Sequence, residues 1–318
     1  MRVITGSELK SVLHLRMLIE RLRQTFRAGG EVPPRHEHRV ATWGQNDASL
    51  QIMPSWQVGQ AIGVRVVTRF PDNAGSDHAP IQGSYLVIDG KHGIPQAVLD
   101  GPSLARRTAA ASSALAASYL ARPDSSRLLV IGTGALAYEM IQAHTHVLPI
   151  KHVLIWGRRH EKARKMAGRF HRPAFRIEAT DDLQGAIAGA DVICCATSAQ
   201  GPVIQGSWLQ PGQHVDLVGA VGLDRQELDA DGFARCRVFV DSREGVMAEA
   251  GDLLAALAAG AISNDDIAGD LYDLGRGERA GRRFYDQITL FKSVGTALGD
   301  LCAAQLAVEM VVHNDTLR

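Results

Sequence analysis

The 318-residue chain holds only four cysteines, Cys194, Cys195, Cys236 and Cys302. None stands in a Cys-x-x-Cys pair or at zinc-ligand spacing, which argues against a cysteine-built metal centre. Cys194 and Cys195 lie in the apolar run "ADVICCAT". At least one is expected to be a small buried hydrophobe, and no base is placed beside either to activate a thiolate. This usage suggests a reducing compartment, the cytoplasm. Charge of one sign is also lacking, since 34 Lys and Arg balance 34 Asp and Glu. Such a balance leaves no electrostatic footprint for nucleic acid or an acidic membrane surface. No apolar run reaches the roughly 18 residues of a membrane span. The opening "MRVITGSELKSVLHLRMLIERLR" has no signal-peptide core; its Leu9, Val12, Leu13, Met17 and Leu18 fit one amphipathic helix. Repeats, low-complexity blocks and long linkers are absent too.

What remains is an ordinary globular composition, 46% hydrophobic and 21% charged, sufficient for a sizeable core. The length suggests two domains or one large α/β unit. Up to about residue 120, "SLQIMP", "AIGVRVVTRF", "GSYLVIDG" and "IPQAVLDG" read as strands of a mostly antiparallel meander. An alanine-rich helix, "SLARRTAAASSALAASYLAR", follows and ends before Pro123. From about 125 the pattern becomes strand–helix alternation: "RLLVIG", "HVLIWG", "FRIEAT", "DVICCAT", "HVDLVGA" and "CRVFVDS" are strands without polar alternation. Buried strands of this kind belong to a parallel sheet covered on both faces. The fold class is therefore α/β, a doubly wound parallel sheet at residues 123–292 beside an α+β domain. The closing "TLFKSVGTALGDLCAAQLAVEMVV" reads as a turn and a long helix that returns to the first domain.

The stretch "RLLVIGTGALAYEM" carries the chemistry. Gly132-x-Gly134-x-x-Ala137 follows a strand and opens a helix, the context of a dinucleotide-binding turn. The first glycine permits the tight turn, and the second lets backbone N–H groups reach a pyrophosphate. Ala137 lets helix and strand approach, and the helix N-terminus favours the anion. Thr133 and Ala135 belong to the same turn. At the end of the next strand an NAD-binding unit usually carries a carboxylate for the ribose hydroxyls. Here "LIWGRRHEKA" offers Arg158 and Arg159 instead. Guanidinium groups suit a 2′-phosphate by charge and geometry, so NADP(H) is expected, with NAD possible. Thr197, Ser198, Gly219 and Ala220, at later strand ends, are small or polar enough to border the nicotinamide side.

Several segments in order, among them "PPRHEHRV", "QIMPSW", "GVRVVTRFPDN", "LDGPSLARRTAAASSALAA", "LLVIGTGALA", "ELDADGFARCRVFVDS" and "ITLFKSVGTALGD", resemble the ornithine cyclodeaminase/mu-crystallin family. The resemblance implies a Rossmann-type NAD(P) domain. It also implies a dimerising substrate domain built from residues 1–122 and 293–318, hence a homodimer. It implies a small amino or imino acid substrate. Its carboxylate would be gripped by Arg107, helped by Arg35 (with Arg39 a competing match), near Met53. Thr108, Ser293 and Gly295 would lie at the cofactor.

Two positions depart from the family pattern. The lysine that would act as acid or base falls at Arg65, which can orient and polarise a substrate but does not titrate in the working range. The aspartate expected of a cyclodeaminase falls at Val221, while Asp224 and Glu227-Leu228 resemble the reductase branch. The expected activity is therefore NAD(P)-dependent reduction of a small cyclic or open imino acid, of the delta-1-pyrroline-2-carboxylate type. Ornithine cyclodeamination and cofactor binding without turnover are the alternatives. No metal is expected: His36 and His38 share a strand face but lack a third ligand, and His144 and His146 read as helix-surface residues.

Overall fold

A computed structural model describes residues 1–171 and 173–316. The strands are β1 (Arg2–Ile4), β2 (His36–Val40), β3 (Ala48–Gln57), β4 (Ala61–Arg69), β5 (Ile81–Asp89), β6 (Pro95–Asp100), β7 (Arg127–Ile131), β8 (His152–Trp156), β9 (Arg176–Thr180), β10 (Val192–Cys195), β11 (His214–Leu217), β12 (Arg237–Val240), β13 (Ile267–Asp270) and β14 (Thr289–Lys292). The helices are α1 (Gly6–Val12), α2 (Leu15–Ala28), α3 (Gly101–Leu120), α4 (Ala135–Val147), α5 (His160–Ala167), α6 (Leu183–Gly189), α7 (Ala230–Arg235), α8 (Arg243–Glu249), α9 (Gly251–Ala258), α10 (Leu271–Arg276) and α11 (Ala297–Thr316). None of the described helices is long and apolar enough to cross a membrane.

One compact unit comprises residues 1–108 and the chain from Ala297 onward. Its sheet runs β1-β6-β5-β4-β3-β2, with every pair antiparallel except β1 with β6. Alternation sends Ser55, Gly63, Tyr85, Val87 and Leu99 to one buried face. The helix α11 packs there, its Ala297 carbonyl accepting a bond from Ser55 Oγ. The opposite face carries Ile52, Val64, Val66, Leu86 and Val98, all half-buried. The single N-terminal helix expected from hydrophobic spacing is two helices. A Thr5–Glu8 capping box starts α1, and Leu13 and His14 leave helical geometry before α2 begins. Met17, placed on the apolar stripe by that expectation, is exposed.

The other unit, residues 109–296, is an all-parallel eight-stranded sheet in the order β13-β12-β14-β11-β10-β7-β8-β9. Chain order reverses between β7 and β10, which makes their carboxyl ends the topological switch point where ligands of such sheets bind. The units divide at 108/109 and 296/297, whereas the sequence suggested 122/123 and 292/293. The second half of α3 belongs with the parallel sheet, because Ala110, Ala111 and Ala114–Ala117 are buried and Ser113 donates to Asp216 of β11.

Candidate active site

The turn after β7 has the backbone that its sequence requires. Gly132 sits at φ +131°, and a Cβ there would stand 2.5 Å from the Ala196 carbonyl oxygen, beyond β10. Its N–H donates to the Trp156 carbonyl at 2.9 Å, tying the turn to β8. Gly134 is the extended N-cap of α4 and brings no side chain to that helix's first N–H groups; a Cβ there would meet no atom within 4 Å. Ala135 is the first helical residue, and Ala137 is fully buried beneath Gly132. An open glycine ahead of uncapped helical N–H groups fits a pyrophosphate. Thr133 lays its Cγ2 over Gly157, 2.6 Å from where a Cβ would stand there. Arg158 and Arg159 follow, both exposed, with Arg159 the N-cap of α5.

Buried carboxylates hold the remaining strand-end loops. Glu227 Oε1 accepts from the Thr197 N–H at 2.7 Å and the Thr197 hydroxyl at 2.9 Å. Its Oε2 accepts from the N–H groups of Gly219 at 2.9 Å and Ala220 at 3.1 Å. The loops after β10 and β11 are thus clamped by one side chain, and burial pushes its pKa up against those bonds. Gly219 is required, since a Cβ would lie 2.1 Å from the Thr197 nitrogen. Ser198 is exposed beside this clamp. Lys292, fully buried at the end of β14, donates to the Ala220 carbonyl at 2.9 Å and pairs with Asp252 at 3.0 Å. Asp241 Oδ2 accepts from Ser293 Oγ and from the N–H groups of Val294 and Gly295, fixing the turn after β14 where Gly295 has φ +87°.

In the first unit, Met53 of β3 lies directly across from Arg65 of β4, and Arg65 across from Tyr85 of β5, so all three share a face. Arg65 Nη1 donates to Asp300 Oδ2 of α11 at 3.0 Å. Asp300 is buried, which raises its carboxyl pKa, while Arg65 and the Thr108 hydroxyl oppose the rise. Thr108 also donates to the Leu104 carbonyl. Arg107 directs Nε and Nη2 to the Leu13 carbonyl, at 3.0 and 2.9 Å. Arg35 is half-buried just ahead of β2. The competing Arg39 is exposed and paired with Asp47. Met53, Arg65 and Thr108 are therefore brought together, with Asp300 as the member that sequence reasoning missed. Its signal was available: one acid within the apolar run "TALGDLCAAQLAV".

His144 is not a surface residue. It is fully buried, with Nδ1 donating to the Met140 carbonyl at 3.0 Å and Nε2 3.1 Å from Asp216 Oδ2. Helical spacing placed it outward; a carboxylate from β11 draws it in. Cys194 completes a buried group whose ligand atoms lie within 4.8 Å of one another. That group already contains the 3.1 Å His144–Asp216 contact and the Ser113 bond to Asp216. His146, His36 and His38 are exposed. Burial pushes the Cys194 and Cys195 thiols up, which suits inert core residues.

Compared with known proteins, residues 2–315 match the ornithine cyclodeaminase/mu-crystallin family. The chain is 37% identical over 313 residues to Delta(1)-pyrroline-2-carboxylate reductase of Colwellia psychrerythraea, covering 97% of this chain and 99% of that protein. It is 38% identical over 293 residues to the protein of the same name from Paracoccus denitrificans, covering 92% and 91%. A solved structure of Thermococcus litoralis Delta(1)-pyrroline-2-carboxylate reductase, in complex with NADH and L-proline, superposes with a TM-score of 0.91 at 30% identity. That likeness covers 99% of this chain and 98% of the other.

Proposed function

The chain belongs to the ornithine cyclodeaminase/mu-crystallin family, and on that premise we propose that it is an NAD(P)H-dependent reductase of small imino acids. The substrate is of the delta-1-pyrroline-2-carboxylate type and the product is proline. The observation that carries this reading is the near end-to-end similarity to reductases of that name. The open glycine turn ahead of α4 supports it.

When bound, the nicotinamide supplies a hydride to the C=N carbon. The chain's own residues bind and orient the imino acid, and positioning is the greater part of such catalysis. Arg107 takes the carboxylate with help from Arg35 and from Arg65, whose fixed positive charge lies beside Met53. Because Arg65 does not release a proton near neutrality, the nitrogen arrives protonated as an iminium or takes its proton from water. Val221, half-buried after β11, has no proton to give and stands against deamination. NADPH is the preferred cofactor, because two exposed arginines and no carboxylate follow β8. The half-buried apolar face of the first unit's sheet supports a homodimer, which light scattering of the purified chain would test.

The deciding experiment follows NADPH consumption with delta-1-pyrroline-2-carboxylate, beside an NAD⁺ reaction with L-ornithine monitored for ammonia. NADPH-preferring imine reduction without ammonia is the expected result. Ammonia and proline from ornithine would overturn it in favour of a cyclodeaminase.

A further inference from the structure

Arg65 is held by one end only. Its Nη1 donates to Asp300, whereas its Nε is buried and has no hydrogen-bond partner among the described residues. Leaving a buried guanidinium N–H unpaired is costly, so an acceptor is expected when the site is filled. The Nε–Nη2 edge of a guanidinium is one of the two edges that match a carboxylate in bidentate fashion. Side-chain exposure fits that division: Arg65 retains 26% and Asp300 6%. Asp300 cannot meet a ligand readily, but it can fix the group that does. The Thr108 hydroxyl, which donates to the Leu104 carbonyl, lies close enough to Asp300 to act on its carboxyl. The bond from Arg65 to Asp300 ties β4 to α11 and sets where the guanidinium lies.

We infer that Asp300 is a positioning residue: by engaging Nη1 of Arg65, it presents the Nε–Nη2 edge to the substrate carboxylate. The inference rests on the reductase reading above. An ammonium is a point charge that needs no orientation, whereas a planar fork must be aimed.

The test uses the full chain and three variants: Asp300→Asn, Arg65→Lys and the double variant. Each is measured for KM and kcat with delta-1-pyrroline-2-carboxylate, for NADPH affinity, and for binding of L-proline against L-prolinamide, which lacks the carboxylate. Asp300→Asn is expected to raise KM about tenfold with kcat much less affected, and to weaken several-fold the preference for proline over prolinamide that Arg107 and Arg35 still support. NADPH affinity should stay within about twofold. Adding Asp300→Asn to Arg65→Lys should cost little more than Arg65→Lys alone, because both act through one guanidinium. Unchanged KM and preference in Asp300→Asn would overturn the inference, as would multiplying effects in the double variant. If Asp300→Asn does not fold, Arg65→Lys decides, and a preference for proline undiminished from that of the wild-type chain overturns the inference. A wild-type chain that neither reduces the imine nor binds L-proline instead overturns the proposed function, and the inference with it.

Discussion

Replacing Glu227 by glutamine keeps the shape of the side chain and removes half of its accepting capacity. In the native chain each carboxylate oxygen accepts two bonds, Oε1 from the N–H and hydroxyl of Thr197, Oε2 from the N–H groups of Gly219 and Ala220. A glutamine keeps one oxygen and turns an NH₂ group towards the other two donors. Two buried donors then lose their partner at about 1–3 kcal/mol each, so the variant should be about 4 kcal/mol less stable. Urea unfolding followed by tryptophan fluorescence at pH 7 measures this, since Trp156 and Trp208 lie in the same unit. Thr197→Val is the internal control; it removes one donor and leaves the carboxylate three bonds, so the loss should be about 1 kcal/mol. The pH dependence adds a sign. Burial holds the Glu227 pKa above its ordinary 4.5. The folded form therefore binds the proton more tightly than the unfolded one, and stability falls as pH rises from that ordinary value through the folded one. Glu227→Gln should abolish that fall. A variant within 1 kcal/mol of wild type at pH 7 would refute the reasoning, because it would mean that Glu227 does not act there as a four-bond acceptor.

Gly132→Ala should destabilise by about 3 kcal/mol, from side-chain strain at φ +131° and a 2.5 Å approach to the Ala196 carbonyl; a melting scan and NADPH titration report it, with affinity falling at least tenfold. Arg158→Ser with Arg159→Ser should lower the preference for NADPH over NADH by about 10–100-fold, through loss of charge-assisted bonds of roughly 1.5–3 kcal/mol; kcat/KM for the two cofactors checks it. In native protein at pH 8, a thiol reagent should leave Cys194, Cys195 and Cys302 unmodified for minutes, because burial pushes Cys302 up to about 11 and Cys194 and Cys195 well above the ordinary thiol value. All four thiols should react once the chain is unfolded.

What the sequence revealed and what it hid divide along a physical line. The glycine turn was legible because its constraint is local: strand, turn and helix are contiguous, and small residues at fixed spacing answer steric demands within the segment. The parallel sheet was legible because unalternating apolar strands report burial on both faces. His144 was misread because its burial is set from a distance, by Asp216 more than 70 residues later in the sequence. The N-terminal pair of helices was merged because hydrophobic spacing runs through the break, and only the geometry at Leu13 and His14 interrupts it. Asp300 lies 235 residues from Arg65, and nothing in either segment names the other. Tertiary pairing of lone charged residues is what a single sequence conceals.

The same comparison separates scaffold from site. Glu227, Asp241 and Lys292 are buried charged groups, and each has at least three polar contacts to surrounding loops or side chains. Groups so completely engaged offer nothing further to a ligand; they keep Thr197, Gly219, Ser293 and Gly295 in place and exclude alternative loop conformations. The first turn of α4 and the guanidinium of Arg65 differ, because each retains donors that the chain does not satisfy. One set suits a pyrophosphate and the other a carboxylate. A reductase of imino acids needs both anions held, and these two sets of donors are each of the kind that one of those anions requires.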